Sequence, residues 1–278
     1  MKRLILPLVL LLMGLSCLSL WAGDYKAAYE KRDFKTAYAL AKPLAEKGDP
    51  ETQYRLSMMY AYGKGVTKDY QQAKEWLIKA AINGHKVAQS DLGWWYQNGF
   101  IVEKNKKDAV KWFTAAAKQG QANAQYFLGE MYYIGEGIAQ NFADAAVWLT
   151  KAAEQGHLNA QWYLGGMYKD GIGVHQDYAE AFEWLSESAA QGHSGAQRDL
   201  ALMYRDGTGI QRNLVKAYMW FAIVASNEAY NGDKDSAHDR DEVAKSMTTA
   251  DIAKAQRLAT EFKPKNSRKD RESAGKTK

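Results

Sequence analysis

Gln125–His157 reads QYFLGEMYYIGEGIAQNFADAAVWLTKAAEQGH. It holds five Tyr and Phe rings, a Gly-x-Gly, one Trp and a double Ala, but no catalytic grouping. From Gln161 to His193 the chain writes nearly the same phrase again: QWYLGGMYKDGIGVHQDYAEAFEWLSESAAQGH. The offset is 36 residues, and it extends well beyond these two segments. Trp76, Trp112, Trp148, Trp184 and Trp220 fall in register. So do Tyr60, Tyr96, Tyr132, Tyr168 and Tyr204, and Leu56, Leu92, Leu128, Leu164 and Leu200. Further columns are Gly63/99/135/171/207, Ala73/109/145/181/217 and Gln53/89/125/161/197. Self-similarity of this depth at one period is the signature of a solenoid.

Each unit reads as two helices. Ala124, Leu128 and Tyr132, spaced i, i+4, i+8, form one apolar stripe of the first. Gly135 follows where a helix C-terminus turns left-handed. After a Gly-x-Gly-Ile loop, Asn141 stands at an N-cap position, and its column holds Asp69, Asn105, Asp177 and Asn213, all good caps. The second helix presents Ala145, Trp148, Leu149, Ala152 and Ala153 on one face and stops near Gly156. Alanines allow close helix approach, and the Trp is expected to fill the space they leave. The column Ser57, Gly93, Gly129, Gly165, Ala201 is uniformly small, again for close packing.

These residues resemble the Sel-one-like repeat (SLR), a relative of the tetratricopeptide repeat. The pattern Ala-x-x-x-Leu-Gly-x-x-Tyr-x-x-Gly-x-Gly-Val-x-x-Asp-x-x-x-Ala-x-x-Trp-x-x-x-Ala-Ala-x-x-Gly is matched almost in full by 124–156 and 160–192. Departures are local: Thr52 for the first Ala, Ile101 for the second loop Gly, and Ser188 and Val224 within the Ala pair. The resemblance implies an all-α fold, a right-handed α-α superhelical solenoid of antiparallel helix pairs with a 36-residue period.

Five repeats are expected over 50–232, at about 50–85, 86–121, 122–157, 158–193 and 194–232. Residues 24–49 read as an N-terminal cap or partial repeat: a short helix at 24–31, then a second helix in which Leu40 takes the Trp column and Pro43 should kink or break the chain. The break of the Gly column at Glu228, with Gly232 four residues on, suggests an insertion. Residues 233–262 read as C-terminal capping helices, one polar from about 235 and one opened by Thr248 in a Thr-x-x-Asp capping box. The Lys-rich, apolar-poor segment 263–278 is expected to be a disordered basic tail.

The charge distribution argues against nucleic acid. Of the formal +5, Lys2 and Arg3 supply +2 and the 263–278 tail +5, leaving 24–262 at −2. A nearly neutral body gives no phosphate-binding face. Residues 1–23 combine a basic start, an apolar run and a small residue at Ala22 or Gly23, the organisation of a signal peptide; a retained signal anchor is the alternative. Export, most simply to the periplasm, is expected. The single Cys, Cys17, lies in this run, so cleavage would leave no thiol. Membrane contact is then confined to the signal segment or the basic tail.

The sequence lacks Gly-x-x-x-x-Gly-Lys, His-Glu-x-x-His and Gly-x-Ser-x-Gly, and Ala196 spoils the "GHSG" at 192–195. The Gly-x-Gly pairs follow helices, so they are turn glycines rather than a dinucleotide fingerprint. His85, His157 and His193 share a column, but adjacent repeats sit ~10 Å apart, against ~4 Å between ligands on one zinc. They are expected to be turn residues; no metal and no cofactor is expected. The SLR family includes cysteine-rich secreted proteins described as penicillin-binding or beta-lactamase-like. Here the mature chain has no cysteine, and the single Ser-x-x-Lys, Ser273 to Lys276, lies in the tail.

Variation between units marks the expected partner surface. Positions 54, 58, 61 and 62 and their repeats share one face of the first helix, which in tetratricopeptide-like stacks lines the concave groove. By that resemblance the partner site comprises Tyr54, Met58, Tyr62, Trp94, Tyr126, Glu130, Tyr133, Trp162, Lys169, Arg198 and Arg205, with Ile134 and Asp206 beside them. Tyr126 and Phe127 cannot both face the groove. The expected function is an exported non-enzymatic scaffold that binds a protein or peptide as an envelope adaptor or regulator. The alternative is a cell-wall-related or beta-lactam-binding protein.

Overall fold

The computed structural model describes residues 24–227 and 233–265. Among them the chain forms fourteen helices and no strands, and the helices recur in pairs every 36 residues or so. Residues 24–30 form α1. There follow α2 (Phe34–Glu46), α3 (Pro50–Tyr62), α4 (Tyr70–Ile82), α5 (Lys86–Asn98), α6 (Lys106–Lys118) and α7 (Ala122–Ile134). The remainder are α8 (Phe142–Glu154), α9 (Leu158–Asp170), α10 (Tyr178–Ala190), α11 (Ser194–Asp206), α12 (Leu214–Ala225), α13 (Lys234–Ala244) and α14 (Thr249–Glu261). The fold is the all-α repeat of helix pairs that the 36-residue columns imply. Two compact units divide the chain after Ala124. The expected signal segment 1–23, the insertion at 228–232 and tail residues 266–278 lie outside the described residues.

Local chemistry explains why each helix starts and stops where it does. Asp69, Asn105, Asn141, Asp177 and Asn213 are the N-caps of α4, α6, α8, α10 and α12, each accepting one or two amide hydrogen bonds from the first turn. The amide of each of these caps donates to the carbonyl of Tyr60, Tyr96, Tyr132, Tyr168 or Tyr204, at 2.8–3.0 Å. The loop between paired helices is thereby closed through the backbone, with side chains of Gln140, Gln176 and Arg212 adding a bond in three of the loops. Thr248 caps α14 through its hydroxyl, which accepts from the Asp251 amide at 3.1 Å.

The other set of helix starts uses a second column. Asp49 caps α3, and His85, His157 and His193 cap α5, α9 and α11, each His ring accepting at Nδ1 from the amide three residues on. Gln121 does the same for the Ala124 amide. These histidines are turn residues, as the sequence suggests, but their capping role is not visible in the spacing alone.

The core is a ladder of small-against-large contacts. A Cβ placed on Gly93 would lie 2.8 Å from the Phe113 ring, on Gly129 2.8 Å from Leu149 Cγ, and on Gly165 2.7 Å from Leu185 Cγ. The small column exists because the partner helix drops a large side chain onto it. That large residue is not the tryptophan. Leu77, Phe113, Leu149, Leu185 and Phe221 are fully buried, whereas of the Trp column only Trp76 is buried, at 8% exposure. The expectation that Trp fills the core is therefore corrected by one position. Trp76 joins the core, the other four indoles are half-buried, and lysines reach the rings: Lys79 Nζ lies 4.2 Å from the Trp76 ring and Lys151 Nζ 4.4 Å from the Trp148 ring. Charged heads cover the outer face of a ring whose inner edge packs.

The Gln column has a structural role of its own. Gln53, Gln89, Gln161 and Gln197 are buried, and each Nε2 donates to the carbonyl eight residues earlier, at 3.0–3.2 Å. Each of Gln53, Gln89, Gln125 and Gln161 accepts at Oε1 from the side-chain amide thirty residues on, from Asn83, Gln119, Gln155 and Gln191, at 2.6–2.8 Å. A buried amide with its polar atoms satisfied in this way ties successive repeats together.

Two terminal expectations are corrected. Pro43 does not end its helix; α2 runs through it to Glu46, with Pro43 in the final turn. Little is lost that close to a C-terminus, where the ladder is ending anyway. At the other end, 263–265 are placed rather than disordered. Phe262 meets Trp220 edge-to-face at 5.1 Å, and the Lys265 amide donates to the Ala190 carbonyl at 2.8 Å.

Candidate docking site

In the first unit, Met58, Tyr62 and Trp94 come together. They line a cleft of about 420 Å³ with Ala61, Lys68, Tyr70, Asp91, Trp95 and Phe100. Tyr62 is 68% exposed, Tyr70 44%, Phe100 43% and Trp94 41%, a concentration of open aromatic surface. Phe100 organises the rings: its centroid lies 5.5 Å from Trp95, 5.9 Å from Trp94 and 6.2 Å from Tyr70. Neither Tyr70 nor Phe100 is among the sequence-derived site residues. Both stand outside the first-helix columns, at a helix start and in a loop, where helical periodicity gives no signal.

Tyr54 is a neighbour of this cleft, and its own bonds are used internally. Its ring stacks on His85 with centroids 4.6 Å apart, and its hydroxyl donates to Asp91 Oδ2 at 3.1 Å. Burial, then the Asp91 charge, pushes the Tyr54 phenol well above its ordinary range. Burial likewise raises the Asp91 carboxyl.

In the second unit the expected partner residues form an internal network. Tyr126 is only 7% exposed, which corrects its assignment to an open surface; its hydroxyl donates to Glu130 Oε1 at 2.6 Å and its ring stacks on His157 at 4.5 Å. Tyr126 is thus the buried member of the Tyr126–Phe127 pair. Glu130 also accepts from the Tyr163 hydroxyl at 3.3 Å, and burial pushes that phenol up to about 12. Tyr133 packs edge-to-face on Phe142 at 5.3 Å and on Tyr163 at 5.4 Å.

Trp162 stacks on His193 at 4.8 Å, and its indole Nε1 donates to Asp199 Oδ2 at 2.8 Å. Lys169 Nζ lies 3.1 Å from the other oxygen, Asp199 Oδ1. Arg205 pairs with Asp206 at 2.8 Å and Asp239 at 3.2 Å, and Arg198 lies 3.8 Å from Asp233 and 3.7 Å from Asp239. Both arginines therefore meet acids at the cap of α13 or within it. Ile134 remains open at 51% exposure.

Most polar groups of these residues, phenols, carboxylates, ammoniums and guanidiniums, pair with one another. Among the described residues no group of three or more His, Cys, Asp or Glu could hold a metal.

The Sel1 repeat family model matches residues 50–85, 86–121, 122–157, 158–193 and 194–227. The chain belongs to the Sel1-repeat family. Its fold resembles that of a Sel1 repeat protein from Oxalobacter formigenes, with TM-score 0.66 and 28% identity over 92% of this chain and 99% of that one. It also resembles a protective antigen present in uropathogenic Escherichia coli strains that displays an SLR fold, with TM-score 0.57 and 27% identity. That match covers 88% of this chain, which spans 60% of the length of the E. coli antigen. No curated protein matches the sequence. Sel1-repeat proteins are generally non-catalytic scaffolds that mediate contacts between proteins. Among the described residues no helix is long and apolar enough to cross a membrane.

Proposed function

We propose that this Sel1-repeat chain is an exported, non-enzymatic scaffold that docks a protein or peptide partner, acting in the cell envelope as an adaptor or regulator. One observation carries the docking: the open rings of Tyr62, Tyr70, Trp94 and Phe100 gathered around a single cleft. Exposed aromatic clusters with a few polar groups are typical of protein recognition sites. The basic-then-apolar segment 1–23 supports export, and the likeness to an E. coli protective antigen points the same way.

The test is capture from the envelope of the source cell, with the protein lacking residues 1–23 as bait. A stoichiometric partner should be retained by the wild type and lost by Tyr62→Ala/Trp94→Ala, with helicity and melting unchanged. Undiminished capture by the double variant would remove the cleft. A covalent adduct with a fluorescent penicillin would overturn the non-enzymatic assignment.

A further inference from the structure

The same local motif occurs twice, three repeats apart, and only one copy is complete. In the second unit, Trp162 and Lys169 both reach Asp199: the indole donates to Oδ2 at 2.8 Å and the ammonium to Oδ1 at 3.1 Å. Stepping back 108 residues gives Tyr54, Ala61 and Asp91. Tyr54 donates to Asp91 Oδ2 at 3.1 Å, in the manner of Trp162. The position of the lysine, however, is Ala61, and Ala61 and Asp91 both line the aromatic cleft. Among the described residues nothing donates to Asp91 Oδ1. The cleft therefore holds a half-buried carboxylate, one oxygen satisfied and the other not, at the place where the fold elsewhere seats a cation.

The repeat departs from its own pattern around this carboxylate in ways that open the cleft. The second glycine of the loop normally touches the start of the preceding second helix. A Cβ on Gly65 would lie 2.0 Å from the Phe34 carbonyl oxygen, on Gly173 2.3 Å from that of Phe142, and on Gly209 2.2 Å from Tyr178 Cβ. The corresponding residue here is Ile101, whose side chain cannot approach that closely and packs against the cluster of Leu77, Leu92 and Trp95. Ile101 adopts φ +63, a conformation β-branched residues rarely take and one that tends to persist at functional sites. Phe100 beside it stands edge-to-face with Tyr70, ring centroids 6.2 Å apart. Lys68 also lines the cleft, but its ammonium is held 4.6 Å over the Tyr70 ring, showing that these rings accept a cation.

We propose that the cleft takes the cationic side chain, lysine or arginine, of a protein partner, its charge on Asp91 Oδ1 and its aliphatic stem against Tyr62 and Trp94. Asp91 is partly buried, and the His85 ring that acts on its charge is itself hydrogen-bonded to Glu51, so a further cation strengthens the attraction: a partly desolvated carboxylate gains most from a paired charge. The inference rests on the docking role of the cleft and specifies the chemistry of what docks.

The test uses ¹⁵N-labelled protein lacking residues 1–23 and follows the indole NH signals of Trp94 and Trp95. The probes are the N-acetyl, C-methylamide forms of arginine, lysine, norleucine and glutamate. Arginine and lysine should shift both signals saturably, at least about tenfold more tightly than norleucine. Asp91→Asn should weaken the cationic probes about tenfold and leave norleucine unchanged. Ala61→Lys, which supplies the ammonium internally as Lys169 does, should abolish their binding while preserving the fold. Equal binding of norleucine and arginine would overturn the cation assignment and leave an apolar docking cleft. Preference for glutamate would assign the site to Lys68 and an acidic partner instead. No shift with any probe would remove both the inference and the docking role of the cleft.

Discussion

Tyr126 lies nearly flat on His157, ring centroids 4.5 Å apart and planes 18° from parallel, while His157 Nδ1 accepts the Ala160 amide at 3.3 Å. The imidazole must stay neutral at Nδ1 to do this. Burial accordingly lowers its pKa to about 4, and burial lowers that of His193 as well. A depressed folded pKa contributes stability above the unfolded value of ~6.5, which is lost as pH falls toward the folded value. For His157 this is on the order of 2 kcal/mol by pH 5. His157→Asn keeps a cap acceptor but removes the titration. The difference in urea unfolding free energy between wild type and variant should shrink by roughly that amount from pH 7.5 to pH 5. A constant difference would show that the imidazole does not titrate as its burial requires.

The buried glutamines should be costly to replace. Gln161 is 4% exposed, donates to the Ala153 carbonyl at 3.2 Å and accepts from Gln191 at 2.7 Å. Gln161→Leu preserves bulk but strands both partners, and should destabilise by about 2–3 kcal/mol. Unchanged urea midpoint and slope would mean that water satisfies the stranded groups.

Adjacent glycines in α9 should respond with opposite sign. A Cβ on Gly165 would lie 2.7 Å from Leu185 Cγ, whereas one on Gly166 meets nothing within 4 Å. Gly165→Ala should cost about 1–3 kcal/mol through overpacking. Gly166→Ala should gain about 0.5–1 kcal/mol by lowering the entropy of the unfolded chain. Thermal melts of the two variants check both signs, and two shifts in the same direction would contradict the packing described.

Phe262→Ala removes the edge-to-face partner of Trp220 at the C-terminal end of the chain. A loss of about 1–2 kcal/mol is expected, seen as a melting temperature lower by several degrees. An unchanged melt would place the 262–265 segment outside the cooperative fold.

Most of the architecture was open to inspection in one dimension, and two corrections, one in the core and one at the site, show where that stops. Asp69 or Asn141 before an apolar run names a helix start because the cap bond spans three residues. Gly93 and Gly165 flag close approach because any side chain there would collide. Trp148 and Leu149, by contrast, are neighbours on one helix, both apolar and both periodic. Which of them is fully buried depends on the helix opposite, and Leu149 is the one that meets Gly129. Tyr126 likewise turns away from its own packing stripe, as an open residue would, yet His157, the cap of the following helix α9, covers it. Tyr54 and Trp162 share that column and that arrangement, with His85 and His193.

Caps, turn glycines and small columns depend on bonds and collisions within a few residues, so period and spacing alone were enough to set the helix pairs and their ends. Exposure is different, because it belongs to a residue together with whatever a distant part of the chain lays against it. Only the folded chain could show that Lys169 satisfies Asp199 while Ala61 leaves Asp91 open, and that Phe100 and Tyr70 complete an aromatic cleft around it.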